Sequence, residues 1–584
     1  MYKQIEIEKQ KYEINNKLLN NISNKISNIR LSLFILIIVC LFALKNYPTI
    51  NIISTTSLVT IFIIIIIYHN KISKQIKDND MYLKIISEYI DRRSDKWKKF
   101  SKTGEDILSN DLAIDLDLVG KNSLFQLINI SKSINSQEAL IKKLINPSKN
   151  KKSILDNQEA ITELKNNLSF ILNYQKEINC IKNIDNTNYQ DNLNILNKEK
   201  HINKKELYFG ITTATLTNII LILGIFNIIN IRFFLLATII QLIISYLYQF
   251  KYNEELKNIS NSGRLLTDYK KIYTLLTNYN FKSKKLNNIK EDITKGKNTI
   301  NKLSKIIILD SYRFNFITNI ILNAIMSLNI ITLYKYNNLI NNNKKIFISN
   351  TNSFTELENL ISLTTIPLIK DNVSLPFITN ETSINFKDIS HPLLDEKRCV
   401  KNDFSCKNDI NIITGSNMSG KTSFMRTIAI NLILMYNGTY VNALFFESSI
   451  NQIFTSIRVT DDIDAGISTF YGELLRIEKI LEYSKKHSDP IIVFIDEIFK
   501  GTNYKDRILG AKEIIKKLSK LNSIVLITTH DFELCEISNR KINNYHFEEQ
   551  YNEDKISFDY KIKDGMCTKT NAKYLMELIG IIDK

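Results

Sequence analysis

Cysteine, proline and glycine are scarce in this chain: 6, 6 and 15 among 584 residues. The cysteines (Cys40, Cys180, Cys399, Cys406, Cys535 and Cys567) form no CxxC pair and no zinc spacing. That excludes a disulfide framework and suits ordinary thiols in a reducing compartment. Few prolines and glycines mean few interruptions to helices. No run of lysines marks a basic arm. Met1–Arg30 lacks the signature of a cleaved signal, because its charged part is too long and no small-residue cleavage site follows the next apolar run.

The length is too great for one core and predicts three or more units. A formal charge of +17 and a pI near 9.2 suit a partner bearing phosphates, whether nucleic acid or anionic lipid. The chain is also crowded with Ile, Asn and Lys throughout, and such a general bias would supply much of the lysine without any such partner.

Long apolar runs come in two close pairs. Leu31–Leu44 and Ile50–Tyr68 flank a turn with Pro48, and Leu207–Ile229 and Phe233–Phe250 are separated by three residues. Each pair reads as a membrane hairpin, the alternative being a helical hairpin inside a soluble core. Each hairpin turn holds a single basic residue, Lys45 or Arg232, whereas Met1–Arg30 and the stretch from Lys71 to Lys205 are rich in Lys and Arg. Both rich segments are therefore expected in the cytoplasm. Phe314–Tyr334 is a fifth apolar stretch, but Asn315, Asn319, Asn323 and Asn329 recur along it at roughly helical spacing. That predicts one polar stripe on a packed soluble helix, and an even number of spans.

Chemistry is concentrated near residue 415. Ile410, Ile412 and Ile413 lead into Gly415-Ser416-Asn417-Met418-Ser419-Gly420-Lys421-Thr422-Ser423, a strand, glycine turn and helix start in the order a phosphate-binding loop needs. Backbone N–H groups from Gly415 to Ser423 would face the phosphates of ATP, Lys421 would reach the β and γ oxygens, and Thr422 would ligate Mg²⁺. Ile491–Ile495 is an apolar strand ending in Asp496-Glu497. Asp496 suits the Mg²⁺ shell, and Glu497 the general base that activates water. Another apolar strand ends at His530, placed to sense the γ-phosphate.

Leu112–Pro147 carries DLDL…G…SLFQ…LI..P, and NQEAI.EL follows within Ile154–Leu164; apolar residues recur at three and four spacing from Leu124 to Leu144. These blocks resemble the start of the helical lever, or core, domain of the MutS family of mismatch repair ATPases, in particular membrane-spanning MutS-related proteins. Phe354–Leu360 and His391-Pro-Leu-Leu394 resemble the family's connection into its ATPase domain, and Asn544–Phe547 and Asn571–Met576 its carboxyl-terminal strands and helix. Gly466-Ile-Ser468-Thr469-Phe470 is similar to the signature loop that closes over the nucleotide of the opposing subunit. The resemblance implies a homodimer through the ATPase domain with Ser468 acting in trans; from the residues alone, Ser468 equally suits a helix cap. Two departures stand out. Phe499-Lys500-Gly501-Thr502 replaces the family's Gly-Arg-Gly-Thr, and no segment before Leu112 is available for a mismatch-reading domain.

The expected architecture is an α/β ATPase domain of the P-loop, ABC-type class at the carboxyl end, after an all-α lever interrupted by two transmembrane hairpins. Its parts are a cytoplasmic helix (1–30), hairpins (31–68 and 207–250), two lever portions (69–206 and 251–375) and the ATPase domain (376–584). The expected function is Mg²⁺-dependent ATP hydrolysis at the cytoplasmic face of the plasma membrane, coupled to non-specific binding of duplex DNA and, as the resemblance implies, related to mismatch repair without recognition of the mismatch itself. The alternative is an ATP-driven switch acting on a membrane or protein partner without DNA.

Overall fold

The computed structural model describes residues 2–105, 110–181, 202–257, 259, 269–459, 468–537, 541–552 and 555–566. Two long helices open it, α1 (Tyr2–Ala43) and α2 (Pro48–Arg93), with Pro48 in the first turn of α2, where its missing N–H costs nothing. Their 42 and 46 residues extend about 63 and 69 Å, roughly twice a ~30 Å hydrocarbon core. The charged segment before residue 31 and the apolar run after it form one continuous helix. The polar halves pair antiparallel: Asn16 donates to Asp80 (2.6 Å), Ser23 meets His69 (3.0 Å), and Tyr12 stacks on Tyr82.

A helical body follows, comprising α3 (Asp111–Asp115), α4 (Leu124–Ile128), α5 (Ile134–Ile145), α6 (Lys151–Asn166) and α7 (Leu168–Asn179). Ser123, Ser133 and Asn150 cap three of these by accepting from helix N–H groups. The second hairpin is α8 (Lys204–Ile225) and α9 (Arg232–Lys251). The body resumes with α10 (Lys270–Asn278), α11 (Lys284–Lys295), α12 (Lys297–Ser311), α13 (Phe316–Met326), α14 (Leu328–Leu363) and α15 (Thr365–Ile369). The 36-residue α14 is its spine. Glu356 on α14 takes Lys143 of α5 at 2.5 Å and Lys285 of α11 at 2.6 Å, pinning three helices together.

Among the described residues α1, α2, α8 and α9 are long and apolar enough to cross a membrane. The expectation for Phe314–Tyr334 needs correction. The stretch is not one helix: Ser327 adopts a left-handed conformation, the chain bends by 81°, and α13 packs on α8 and α9. The polar stripe exists, with Asn319, Asn323 and Asn329 buried, but it faces the second hairpin.

The remaining chain is mixed α/β. A four-stranded sheet contains β1 (Phe377–Thr379), β2 (Ser383–Ile389), β3 (Asn402–Lys407) and β5 (Phe445–Ser449) in the order β1-β5-β2-β3. A six-stranded sheet contains β4 (Ile410–Thr414), β6 (Gln452–Ser456), β7 (Ile491–Ile495), β8 (Ser523–Thr528), β9 (Ile542–Asn552) and β10 (Lys555–Asp564), ordered β10-β9-β4-β8-β7-β6. All its pairings are parallel except that of edge strand β10 with β9. Every residue of β4, β7 and β8 is buried, as both-face coverage of a parallel sheet requires. One face, with α16 (Lys421–Tyr436), joins Ile413 and Phe494 to the core of the helical body. The other is covered by α17 (Thr469–Lys486) and α18 (Tyr504–Leu518), which bring Ile480 and Ile515 against Val493 and Val525.

Candidate active site

Parallel register brings the carboxyl ends of β4, β7 and β8 together: Ile413 pairs with Thr528, and Ile495 with Ile527. Loops leaving this edge can therefore meet, as ligand sites in open α/β sheets generally do. After β4 the chain turns through Gly415 (φ 143°), Met418 (φ 70°) and Gly420 (φ 106°) into α16. A Cβ on Gly415 would lie 2.9 Å from the Phe547 carbonyl, so only glycine fits there. Lys421 folds back and donates to the carbonyls of Gly415 (2.8 Å) and Ser416 (2.7 Å).

Asp496 is held from two sides. Thr422 donates to one carboxylate oxygen at 2.7 Å and Thr528 to the other at 2.5 Å, while the N–H of Glu497 donates to Thr528 at 2.9 Å. Thr528 was not anticipated from the sequence, although the buried strand leading to Thr529-His530 marks its position. Glu497 adopts φ 53°, unusual for a side chain of its size. One of its oxygens meets His530 Nε2 at 3.2 Å and the other meets Lys500 Nζ at 2.7 Å. Partial burial opposes ionisation of Glu497, but Lys500 and then His530 outweigh it and hold the carboxyl below its usual range.

The loop after these carboxylates explains one departure from the family pattern. Phe499 stands at φ 59° where the family has glycine. The left-handed conformation costs roughly 1–3 kcal/mol for such a residue. It is offset by burial of the ring against Phe470 (centroids 5.4 Å apart) and by the bond from its N–H to Glu473 (2.6 Å). Gly501 is retained where a Cβ would meet Thr469 Oγ1 at 2.7 Å. The loop is thus locked against the start of α17.

A cavity of about 520 Å³ opens over the phosphate loop, lined there by Ser416, Asn417, Met418, Gly420, Lys421, Thr422 and Ser423, with Glu497 at its edge. His391, Val400 and Phe547 also line it. Burial, with Arg426 and Lys370 nearby, lowers His391 to about 3, so its ring is neutral. Asp95 and Lys98, from the segment just after α2, also line the cavity, and Asp95 binds Arg398 at 2.7 Å. No sequence signal pairs residues three hundred positions apart.

Residues 411–583 match MutS domain V. This ATPase domain begins within β4 and takes in the phosphate loop, Asp496, Glu497, Ser468 and His530. The matched domain and four helices able to cross a bilayer support a membrane-associated protein with a MutS-like ATPase domain.

Within the MutS domain V the phosphate loop, Asp496, Glu497 and His530 converge. Ser468 is not among the residues lining the cavity; it caps α17, accepting from Tyr471 N–H at 3.4 Å. Gly466 and Asn571–Met576 lie outside the described residues. The hydroxyls of Ser416 and Ser419 are buried in the loop without a hydrogen-bond partner, which fits a site built to receive phosphate oxygens. No cluster of three or more His, Cys, Asp or Glu able to hold a metal occurs among the described residues. Mg²⁺ bound through one carboxylate, a hydroxyl and substrate phosphates needs none.

Upstream, the DLDL block anchors the helical body to this domain. Buried Asp115 accepts from the N–H groups of Ile457 (3.1 Å) and Arg458 (2.9 Å) and from Arg476 (2.7 Å). Asp117 takes Arg426 of α16 at 3.1 Å and Arg458 at 2.5 Å.

Proposed function

We propose that this protein is a membrane-anchored, Mg²⁺-dependent ATPase that converts hydrolysis into conformational change. The observation that carries this reading is Asp496 clamped between Thr422 and Thr528, with Glu497 and His530 beside it. Backbone N–H groups of residues 415–423 and Lys421 bind the triphosphate. Thr422 and Asp496 would hold Mg²⁺, whose charge offsets that of the phosphate oxygens. Glu497, kept ionised by Lys500 and His530, takes the proton from the attacking water, and His530 senses the γ-phosphate through its bond to Glu497. Ser468 serves the nucleotide of a second copy in a homodimer, while the cap it provides to α17 keeps the signature segment in place. The ATPase domain lies in the cytoplasm. The test is Glu497→Gln, for which turnover is expected to fall about 10²–10⁴-fold while ATP binding persists. Equal turnover in variant and parent would remove Glu497 from the mechanism.

The net positive charge and the resemblance of the helical body to the MutS lever support duplex DNA as a non-specific ligand. A second reading, a nucleotide switch acting on the membrane, is favoured by a specific contact: the segment after α2 lines the nucleotide cavity through Asp95 and Lys98. ATPase rates with no DNA, paired duplex and mismatched duplex across a salt series separate the two. DNA as ligand predicts salt-sensitive stimulation with less than about threefold preference for a mismatch, under ~0.7 kcal/mol. No binding at low salt leaves the membrane switch.

A further inference from the structure

The stretch after Arg313 has the composition of a span without the shape of one. The 11 residues of α13 reach about 16 Å, half of a ~30 Å hydrocarbon core. The two faces of α13 are sharply unlike: Ile317, Ile321 and Ile325 are exposed, whereas Asn319 and Asn323 are buried.

Hydrogen bonds trace its path along the second hairpin. Arg313 donates to the carbonyl of Leu256, beyond the end of α9 at Lys251 (3.0 Å). Farther along, Ser245 donates to Asn323 (2.8 Å), Gln241 donates to Ser327 (2.5 Å), and Asn218, in the second half of α8, donates to the carbonyl of Ile325 (2.8 Å). These contacts lead from the Lys251 end of the hairpin towards its middle. Then the chain comes back, because Asn329 in the first turn of α14 donates to Gln249, near Lys251 (2.9 Å).

The break itself is sealed by side chains. Asn323 accepts from the N–H of Asn329 (3.0 Å), Ser327 donates to the carbonyl of Gly210 (2.7 Å), and Asn218 occupies the carbonyl of Ile325. A turn in water could leave such groups to solvent. A turn within hydrocarbon requires internal partners, and those partners come from the candidate spans and from Asn323.

We propose that residues 315–331 form a re-entrant element that enters the bilayer beside Lys204 and Lys251, turns at Ser327 and leaves on the same side. Its occupied surface is lipid: the exposed Ile317, Ile321 and Ile325 face acyl chains, continuous with the exposed Ile219 and Ile222 of α8 and Ile240 of α9. The proposal rests on the second hairpin being embedded. It keeps the number of complete crossings even, so the ATPase domain stays on the same side as residues 70–205.

The single tryptophan, Trp97, makes a direct test practical. In a Trp97→Phe background, Ile321→Trp and separately Ile317→Trp are compared with Ile240→Trp on α9 in phosphatidylcholine vesicles brominated on their acyl chains. The proposal predicts that both α13 reporters lose fluorescence to the bromines as far as Ile240→Trp does, and resist aqueous iodide. Iodide quenching of the α13 reporters with bromine quenching of Ile240→Trp retained would overturn the re-entrant element alone. Iodide quenching of all three would overturn the embedded hairpin as well. In sealed vesicles, protease should reach residues 70–205 and the MutS domain V from one and the same side; access from opposite sides means a full crossing and contradicts the proposal.

Discussion

Both hairpins are long and apolar enough to span a bilayer, the first being the more apolar, and their surroundings differ. In the first, the apolar windows of α1 and α2 are almost bare, 6% and 0% buried, against 22% and 11% for α8 and α9. The first hairpin instead extends a long polar stalk whose base reaches the α/β part of the chain: Arg93 binds Asp371 at 2.6 Å beneath the ring of Tyr2, and Asp95 binds Arg398 at the cavity over residues 416–423. The second places polar side chains inside its apolar windows and uses them to seat α13 and the spine α14. Two hairpins that both qualify as spans therefore sit in different settings: the stalk of the first contacts the cavity wall, and the second holds α13 and α14.

Substitutions within the apolar windows sharpen this contrast most. Asn323→Leu leaves Ser245 and the Asn329 N–H without their acceptor and should lower stability in detergent by about 2 kcal/mol. In the first hairpin Thr60 bonds only within its own helix, to the Ser57 carbonyl, so Thr60→Leu should change stability by less than about 0.5 kcal/mol. Comparable losses in denaturation midpoint for both would erase the distinction. A smaller effect is expected at Lys500. Glu497 must be ionised to accept a proton, and Lys500 favours its ionised form. Lys500→Met therefore raises the Glu497 pKa, and the acid limb of the kcat profile moves to higher pH. An unmoved limb would detach Lys500 from Glu497.

Those polar positions also mark how far the sequence could be read. The strand, glycine turn and helix around residues 410–436 and the strand ending at Asp496-Glu497 were legible as structure, because the first three follow one another locally and a buried parallel strand is apolar throughout. The hairpins were legible as length and composition. The bend at Ser327 was not, since neither glycine nor proline marks it and its cause is a set of hydrogen bonds to residues 86 and 117 positions away. Phe499 at positive φ was hidden for a similar reason: its compensation lies in Phe470 and Glu473, on another element. Thr528 looked like any strand residue until register put it beside Asp496. The cavity wall supplied by Asp95 and Lys98 depends on a stalk that leaves the apolar windows and returns to the ATPase domain, which no local pattern encodes.

The contrast between the hairpins is tested most directly by nucleotide-dependent distances in reconstituted protein carrying Glu497→Gln, so that ATP binds without being consumed. One fluorophore pair joins Lys84 on α2 to Glu513 on α18; the other joins Lys205 at the start of α8 to Glu513. Mg-ATP is predicted to change energy transfer in the Lys84 pair, to leave the Lys205 pair nearly unchanged, and to lose the first effect when Arg398→Ala removes the contact with Asp95. An unchanged Lys84 pair, with ATP binding verified in the same sample, would contradict a connection between the nucleotide and the first hairpin.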